Sequence, residues 1–244
     1  MDEILFISDV HFSYPFKEED KIKENNLICL LNSYQNKIKS LFLVGDIFDF
    51  WFEYKYFILK GPIRFLGKLA ELSDRGIKIF YLGGNHDLWI FDYLTKEVGL
   101  IFFSDFFTFE EKNKKFYVSH GDFITPNFSF KIVRKIFKSK IAQKTFAFFH
   151  PFIGFKLAKA WSSYGKSKEK NYLEKKLKND LNYILNYAEH NLFSIYDYVI
   201  LGHRHYPYEK TLLNNKKLII IGDWIKNFTY AHFDGNDLHL KKFI

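Results

Sequence analysis

Ile4-Leu5-Phe6-Ile7-Ser8-Asp9-Val10-His11 sets four consecutive apolar residues directly before two side chains able to bind a metal. A short apolar run with a polar end reads as a strand buried on both faces, the kind found in parallel sheets. The same figure recurs along the chain. Leu41-Phe42-Leu43-Val44 runs into Gly45-Asp46, and Ile77-Lys78-Ile79-Phe80-Tyr81-Leu82 into Gly83-Gly84-Asn85-His86. Phe116-Tyr117-Val118-Ser119 meets His120, and Tyr198-Val199-Ile200-Leu201 meets Gly202-His203-Arg204-His205. Helices are expected at about 21–37, 62–75 and 88–98, with Gly76 as a C-terminal stop for the second. Alternating strands and helices imply right-handed βαβ units. Strands at about 216–222, 227–233 and 237–243 lack helical connectors, and Asp234-Gly235 reads as a hairpin turn. The expected fold class is α/β: one layered domain over residues 1–244, with a partly antiparallel second sheet.

Composition narrows the remaining classes. The 48% hydrophobic and 26% charged content suits a folded globular chain rather than a disordered one. The single cysteine, Cys29, excludes an internal disulfide framework and a cysteine-rich zinc site. It lies in Leu27-Ile28-Cys29-Leu30-Leu31 and is expected to be a buried helix residue. The acidic start is unlike a secretory signal, and no run of 18 apolar residues exists, so no transmembrane helix and a cytoplasmic location are expected. The net charge of +8 is concentrated in one segment. Residues 126–180 hold fourteen Lys or Arg against three Asp or Glu, and the rest of the chain is slightly acidic. This segment reads as a mostly helical insert between two strands, broken at Pro151 and placed as a cap over the sheet's active edge.

In open α/β sheets ligands gather beyond the carboxyl ends of the strands. Here those ends carry Asp9, His11, Asp46, Asn85, His86, His120, His203 and His205. Asp-x-His and His-x-His place both side chains on one face of an extended chain. Taken singly, an aspartate after a strand is more often a helix cap and a histidine more often a satisfied core or surface residue. Five of nine histidines at strand ends, beside two aspartates and an asparagine, outweigh that reading. His150, His190, His232 and His239 fit no such pattern. Carboxylate, imidazole and amide without thiolate suit Mn²⁺, Fe²⁺, Zn²⁺ or Mg²⁺, and the many nitrogens lean away from Mg²⁺ and Ca²⁺. Seven ligands exceed one tetrahedral site, whereas two cations sharing a bridging carboxylate accommodate them.

Asp9-Val10-His11, Gly45-Asp46, Gly84-Asn85-His86-Asp87, His120-Gly121-Asp122 and Gly202-His203-Arg204-His205 together resemble the calcineurin-like metallophosphoesterase superfamily, in its block order. Residues 4–11, Gly45-Asp46-Ile47-Phe48-Asp49-Phe50-Trp51 and the insert are similar to the UDP-2,3-diacylglucosamine diphosphatases of lipid A synthesis. The resemblance implies a layered α/β/β/α sandwich with mixed sheets and a helical cap. It also implies two divalent ions, with Mn²⁺ the expected occupant. Asp9, His11, Asp46 and His205 would hold one metal; Asp46, Asn85, His120 and His203 the second, with Asp46 bridging. The implied reaction is attack of a metal-bridging hydroxide on the pyrophosphate of UDP-2,3-diacylglucosamine, giving UMP and 2,3-diacylglucosamine 1-phosphate.

His86 stands where one branch of that family has arginine, and is expected to stabilise the transition state or protonate the leaving group. Asn85, His86 and His203 are also expected to meet substrate. So are Lys166, Ser167, Lys168 and Asn171, the last three resembling the family's Ser-Lys-x-x-Asn stretch; Tyr164 and Trp161 are weaker candidates. Asp49, Asp87 and Asp122 are candidates to accept imidazole N–H groups, or simple turn residues. Lys131, Arg134, Lys135, Lys138, Lys140 and Lys144 alternate with apolar residues. That pattern suggests a lid with an apolar groove for acyl chains and a cationic face for the inner membrane's cytoplasmic leaflet, rather than a nucleic-acid surface. The alternatives are a phosphodiesterase or nuclease of the same superfamily and, ranked lower, a non-catalytic scaffold on this fold.

Overall fold

The computed structural model describes residues 2–154, 156 and 174–243. Each of the five strand-end motifs follows an observed strand: β1 (Glu3–Ile7), β2 (Ile38–Val44), β3 (Lys78–Leu82), β6 (Lys114–Ser119) and β7 (Tyr198–Leu201). The remaining strands are β4 (Leu100–Phe103), β5 (Phe106–Glu111), β8 (Tyr208–Thr211), β9 (Lys217–Ile220), β10 (Thr229–Phe233) and β11 (Leu238–Lys242). They form a six-stranded sheet, β11-β10-β1-β2-β3-β4, and a five-stranded sheet, β5-β6-β7-β9-β8. β1 to β4 run parallel, as do β6, β7 and β9; β10, β11, β5 and β8 pair antiparallel.

The period-two alternation of strand side chains builds the layers. Ile4 and Phe6 of β1 and Phe42 and Val44 of β2 meet Phe116, Val118, Ile200 and Ile219 of the other sheet in the sandwich interior. Their neighbours Leu5, Ile7, Leu41 and Leu43 face away, onto α1 (Glu18–Tyr34) and α2 (Ile63–Asp74). On the far side Val199, Leu201, Leu218 and Ile220 pack against Ile184, Leu185 and Ala188 of the helix Glu174–Asn191. The architecture is α/β/β/α with both sheets mixed. The carboxyl ends of β1, β2, β3, β6 and β7 share one rim.

Boundaries differ from expectation for identifiable reasons. The first helix starts at Glu18, three residues early, because Asp20 accepts from Lys17 N and an acidic first turn favours that end. The expected helix at 88–98 shrinks to α3 (Tyr93–Lys96), since the Glu53 carboxylate accepts from the N–H groups of Phe91, Asp92, Tyr93 and Leu94. Cys29 is exposed, not buried: α1 turns Leu27, Leu30 and Leu31 inward and leaves Cys29 on the outer side. Gly76 does end α2, at φ +84°, with its N–H on Ser73 O. β4, β5 and β8 have no counterpart in the expected strands.

Between β6 and β7 lie α4 (Phe128–Phe137), α5 (Lys140–Ala147), a helical turn at 151–154, and α6 (Glu174–Asn191). Arg134 of α4 pairs with Asp122 and Asp105, and Lys138 pairs with Asp105. Trp89 Nε1 donates to Phe137 O over 2.7 Å. Two of the six cations named on this segment therefore pin α4 to the body, while Lys131, Lys135, Lys140 and Lys144 are exposed.

Candidate metal centre

The segment Asp9–Phe12 leaves β1 zipped against the loop after β2. Asp9 N donates to Gly45 O over 3.1 Å, His11 N to Asp46 O over 3.0 Å and Phe12 N to Ile47 O over 2.9 Å. This brings the first two motifs together before any side chain is considered. Asp9 Oδ2 is occupied, lying 2.6 Å from Ser8 Oγ and accepting from His203 N over 2.8 Å. Its other oxygen, Oδ1, faces His205 Nε2 at 3.4 Å and His11 Nε2 at 3.8 Å. Asp46 divides its oxygens likewise. Oδ1 accepts from His86 N over 2.9 Å, and Oδ2 faces His120 Nε2 at 3.3 Å and His11 Nε2 at 3.7 Å.

Three of the rings are aimed by their second nitrogen. His11 Nδ1 lies 3.0 Å from Asp49 Oδ1, and His120 Nδ1 lies 2.9 Å from Val44 O, so in each case Nε2 points into the cluster. His86 Nδ1 lies 2.9 Å from Asp49 O. His203 stands edge-on to His120 with centroids 5.1 Å apart, and His205 stacks on His11 at 4.9 Å. Three overlapping groups result, with ligand atoms mutually within 4.8 Å: Asp9, His11 and His205; His11, Asp46 and His86; Asp46, His120 and His203. Asp46 belongs to two of them, the position a bridging carboxylate needs. Two glycines let the backbones approach this closely. A Cβ on Gly84 would lie 2.1 Å from Asp46 Oδ1, and one on Gly202 would lie 2.1 Å from Ser8 Oγ.

Burial decides what this cluster accommodates. Asp9 Oδ1, His11 Nε2, Asn85 Oδ1 and His120 Nε2 are buried without a hydrogen-bond partner among the described residues. Such orphaned acceptors or imidazole nitrogens would each cost about 1–3 kcal/mol if nothing met them, and three of the four belong to the clustered groups. The donor set therefore fits divalent cations. The electrostatics agree. Burial alone would raise Asp46, but His120, His86 and His11 hold its carboxyl well below the usual range. Burial opposes charge on His11 and His120, yet Asp49 and Asp9 push the first, and Asp46 the second, up to about 10. His203 goes the other way, held neutral by burial and by Arg204.

Seven of the eight strand-end residues singled out in the sequence, Asp9, His11, Asp46, His86, His120, His203 and His205, thus converge, and Asn85 directly precedes one of them with its Oδ1 buried. Lys166, Ser167, Lys168, Asn171, Tyr164 and Trp161 lie outside the described residues. Of the three aspartates proposed as imidazole acceptors, Asp49 takes that role. Asp87 instead accepts from the N–H groups of Asp46, Ile47, Phe48 and Gly84 and from Tyr81, because it sits beneath the β2 loop. Asp122 is taken by Arg134. One motif was missed. Leu218-Ile219-Ile220-Ile221 runs into Gly222-Asp223, the same apolar-run-to-Gly-Asp figure as β2, and it too ends at the cluster: Trp224 N donates to Asp9 O over 3.1 Å, and Asp223 faces His205.

Comparison with known proteins gives a consistent picture. A family described as calcineurin-like phosphoesterase matches residues 3–207. A UDP-2,3-diacylglucosamine hydrolase of Porphyromonas gingivalis is 34% identical over 253 residues, covering 98% of this chain and 97% of that protein. One from Blochmanniella pennsylvanica is 27% identical over 230 residues, covering 91% and 88%. Among solved structures, a novel archaeal phosphodiesterase overlays with a TM-score of 0.47 at 15% identity, covering 98% of both chains. With five motifs in family order, their side chains gathered on one sheet rim and a match over most of its length, this chain belongs to the calcineurin-like phosphoesterase family.

Proposed function

We propose that this protein is a metal-dependent hydrolase that cleaves the pyrophosphate of UDP-2,3-diacylglucosamine into UMP and 2,3-diacylglucosamine 1-phosphate. The observation that carries the chemistry is the set of orphaned, buried ligand atoms around Asp46. The substrate rests on relatives of that name that match almost the whole chain. Asp9, His11, Asp46 and His205 would hold one cation, and Asp46, Asn85, His120 and His203 the other, with Mn²⁺ as the working ion. Two such cations, when bound, supply the charge that brings a water toward deprotonation near neutral pH and offsets charge growing on the phosphoryl oxygens.

The chain's own groups do the rest. Water adds to the phosphorus nearest uridine, and the bridging oxygen departs with the lipid sugar phosphate. His86 is fixed at two points, by its N–H on Asp46 and its Nδ1 on Asp49 O. That leaves its ring beside the cluster to neutralise or protonate the departing oxygen. Asn85, His86 and His203 would contact the phosphates, joined by Lys166, Ser167, Lys168 and Asn171. We read residues 126–180 as a helical cap inserted in one domain spanning 1–244. α4 borders the cluster, with Phe130 6.2 Å from the His203 ring, which suits a lid for acyl chains. No helix among the described residues is long and apolar enough to cross a membrane; the cap's apolar and cationic face supports peripheral attachment to the inner membrane.

Mass spectrometry of the products formed from the lipid-linked UDP-sugar with purified protein and Mn²⁺ tests this reading. UMP and the lipid sugar phosphate are expected. Ready cleavage of single-stranded DNA with the lipid substrate untouched would replace it with a nuclease.

A further inference from the structure

His205 is partly exposed, its side chain 23% accessible, and among the described residues no side chain of the five motifs hydrogen-bonds its ring from behind. With Nε2 turned to Asp9, its remaining nitrogen, Nδ1, faces Asp223 Oδ2 at 3.8 Å. Asp223 is buried and rigidly set. Its Oδ1 accepts from Ile225 N over 2.9 Å, Lys226 N over 2.7 Å and Asn227 N over 3.0 Å. The Asn227 side-chain amide then donates to both Asp223 Oδ2, over 3.0 Å, and His205 O, over 2.8 Å. One amide thereby fixes the backbone of His205 relative to the carboxylate facing its ring. The same loop grips Asp9 through Trp224 N. It joins β9 of one sheet to β10 of the other, and it lies beyond residue 207, where the family match ends.

We propose that Asp223, locked by Asn227, is a positioning residue for His205. For His205 Nε2 to meet a cation, the ring proton must sit on Nδ1, and a proton there needs an acceptor. Asp223 Oδ2, 3.8 Å away, is the carboxylate placed to accept it on a small turn of the ring, the role Asp49 fills for His11 at 3.0 Å. The loop thus sets one of the two cation sites from outside the five motifs. This rests on the two-cation reading above.

The test is calorimetric titration of the metal-free protein with Mn²⁺. Asp223→Asn keeps an oxygen for the three loop N–H groups but replaces the acceptor facing His205 with a donor. Wild type is expected to bind two ions, and Asp223→Asn to weaken one of them by about 10–100-fold. The new NH2 also meets the Asn227 Nδ2 that Oδ2 accepts from in wild type, so the metal-free melting temperature should fall modestly, by the loss of that one bond. In a His205→Ala background the same substitution should change Mn²⁺ affinity by less than about 2-fold, since coupled residues are not additive. An unaltered titration for Asp223→Asn, or a full additional loss on His205→Ala, overturns the assignment while leaving the two-cation reading standing. Absence of Mn²⁺ binding by wild type overturns both. Should Asp223→Asn fail to fold, Asn227→Ala, which cuts only the amide tie, must show the same selective weakening, or the assignment falls.

Discussion

Five of the seven proposed ligands hang from backbone in the left-handed region: Asp9 (φ 53°), His11 (50°), Asp46 (52°), His203 (70°) and His205 (54°). Residues other than glycine rarely adopt it, and such conformations cost of order 1–3 kcal/mol each unless their surroundings enforce them. The bonds from Asp9, His11 and Phe12 to residues 45–47 enforce the first three, while His203 N on Asp9 and the Asn227 amide on His205 O hold the other two. Packing this tight leaves no room for a methyl group at Gly84, whose added Cβ would overlap the Asp46 carboxylate. Gly84→Ala is expected to destabilise the fold by about 1–3 kcal/mol and to abolish Mn²⁺ binding at Asp46. Unfolding in urea and a metal titration check this, and wild-type affinity in the variant would contradict it. The two raised imidazoles give a pH signature as well. With His11 and His120 pushed up to about 10, their contribution to metal-free stability is complete below the unfolded value near 6.5 and is lost as pH rises through 10. The melting temperature of the metal-free protein should therefore fall across that window. Mn²⁺ binding near neutral pH should release protons, read as a dependence of the binding heat on buffer ionisation enthalpy. A flat melting profile together with zero proton release would contradict the arrangement.

At the scale of elements, one buried carboxylate governs the start of α3, a few residues beyond Asn85 and His86. Glu53 takes four successive backbone N–H groups at the start of α3 and the indole N–H of Trp51. Glu53→Ala strands those donors and should cost about 3 kcal/mol, the upper range for hydrogen bonds to a charged group. Guanidinium unfolding measures it; a change under about 0.5 kcal/mol, typical of a surface site, would deny Glu53 this role. The same element explains why the third helix was misjudged: its start is set by a residue some forty positions upstream, a contact no local pattern reveals. The buried strands were legible because uninterrupted runs such as Leu41–Val44 cannot sit on a surface. β5 was not, since Phe106–Glu111 is only half buried and turns into β6 through Lys112 and Asn113, both at positive φ without a glycine to announce it. The candidate centre was legible for a different reason: in parallel sheets the strand end is the site, so sequence position translates directly into place. Asp223 obeyed that rule and was passed over because β9 was read with the helix-free C-terminal strands.

The whole molecule is two sheets joined at one rim, and the ligands come from both: Asp9, His11, Asp46 and Asn85 follow strands of the first sheet, and His120, His203 and His205 follow strands of the second. Cations held there would bind only the assembled sandwich. An ion at 1,000 times its dissociation constant adds about 4 kcal/mol, so removing metal with EDTA should lower the melting temperature and Mn²⁺ should restore it; equal melting with and without the ion would contradict the shared centre. The outer surface carries the complementary feature. Phe128, Ile136, Ile141, Phe148 and Phe152 on the insert are exposed, and so are Tyr56 and Phe57 of the loop before α2 and Ile63 at its start. Phe146 joins the two, packing on Phe52 at 4.9 Å and Tyr54 at 6.5 Å. Neither 54–63 nor 126–156 contains an acidic residue, while Lys55, Lys60, Lys131, Lys135, Lys140 and Lys144 are exposed among these apolar groups. A surface of that kind suits an anionic bilayer, with each lysine near the membrane adding about 1 kcal/mol and the aromatic and aliphatic side chains entering the interface. The protein is therefore expected to co-sediment with vesicles rich in phosphatidylglycerol, and much less with phosphatidylcholine alone. Reversing Lys131, Lys135, Lys140 and Lys144 to glutamate should abolish the binding while leaving Mn²⁺ affinity unchanged, because none of the four touches the centre. Equal recovery on neutral and anionic vesicles, or none on either, would remove the membrane from this picture without disturbing the chemistry at Asp46.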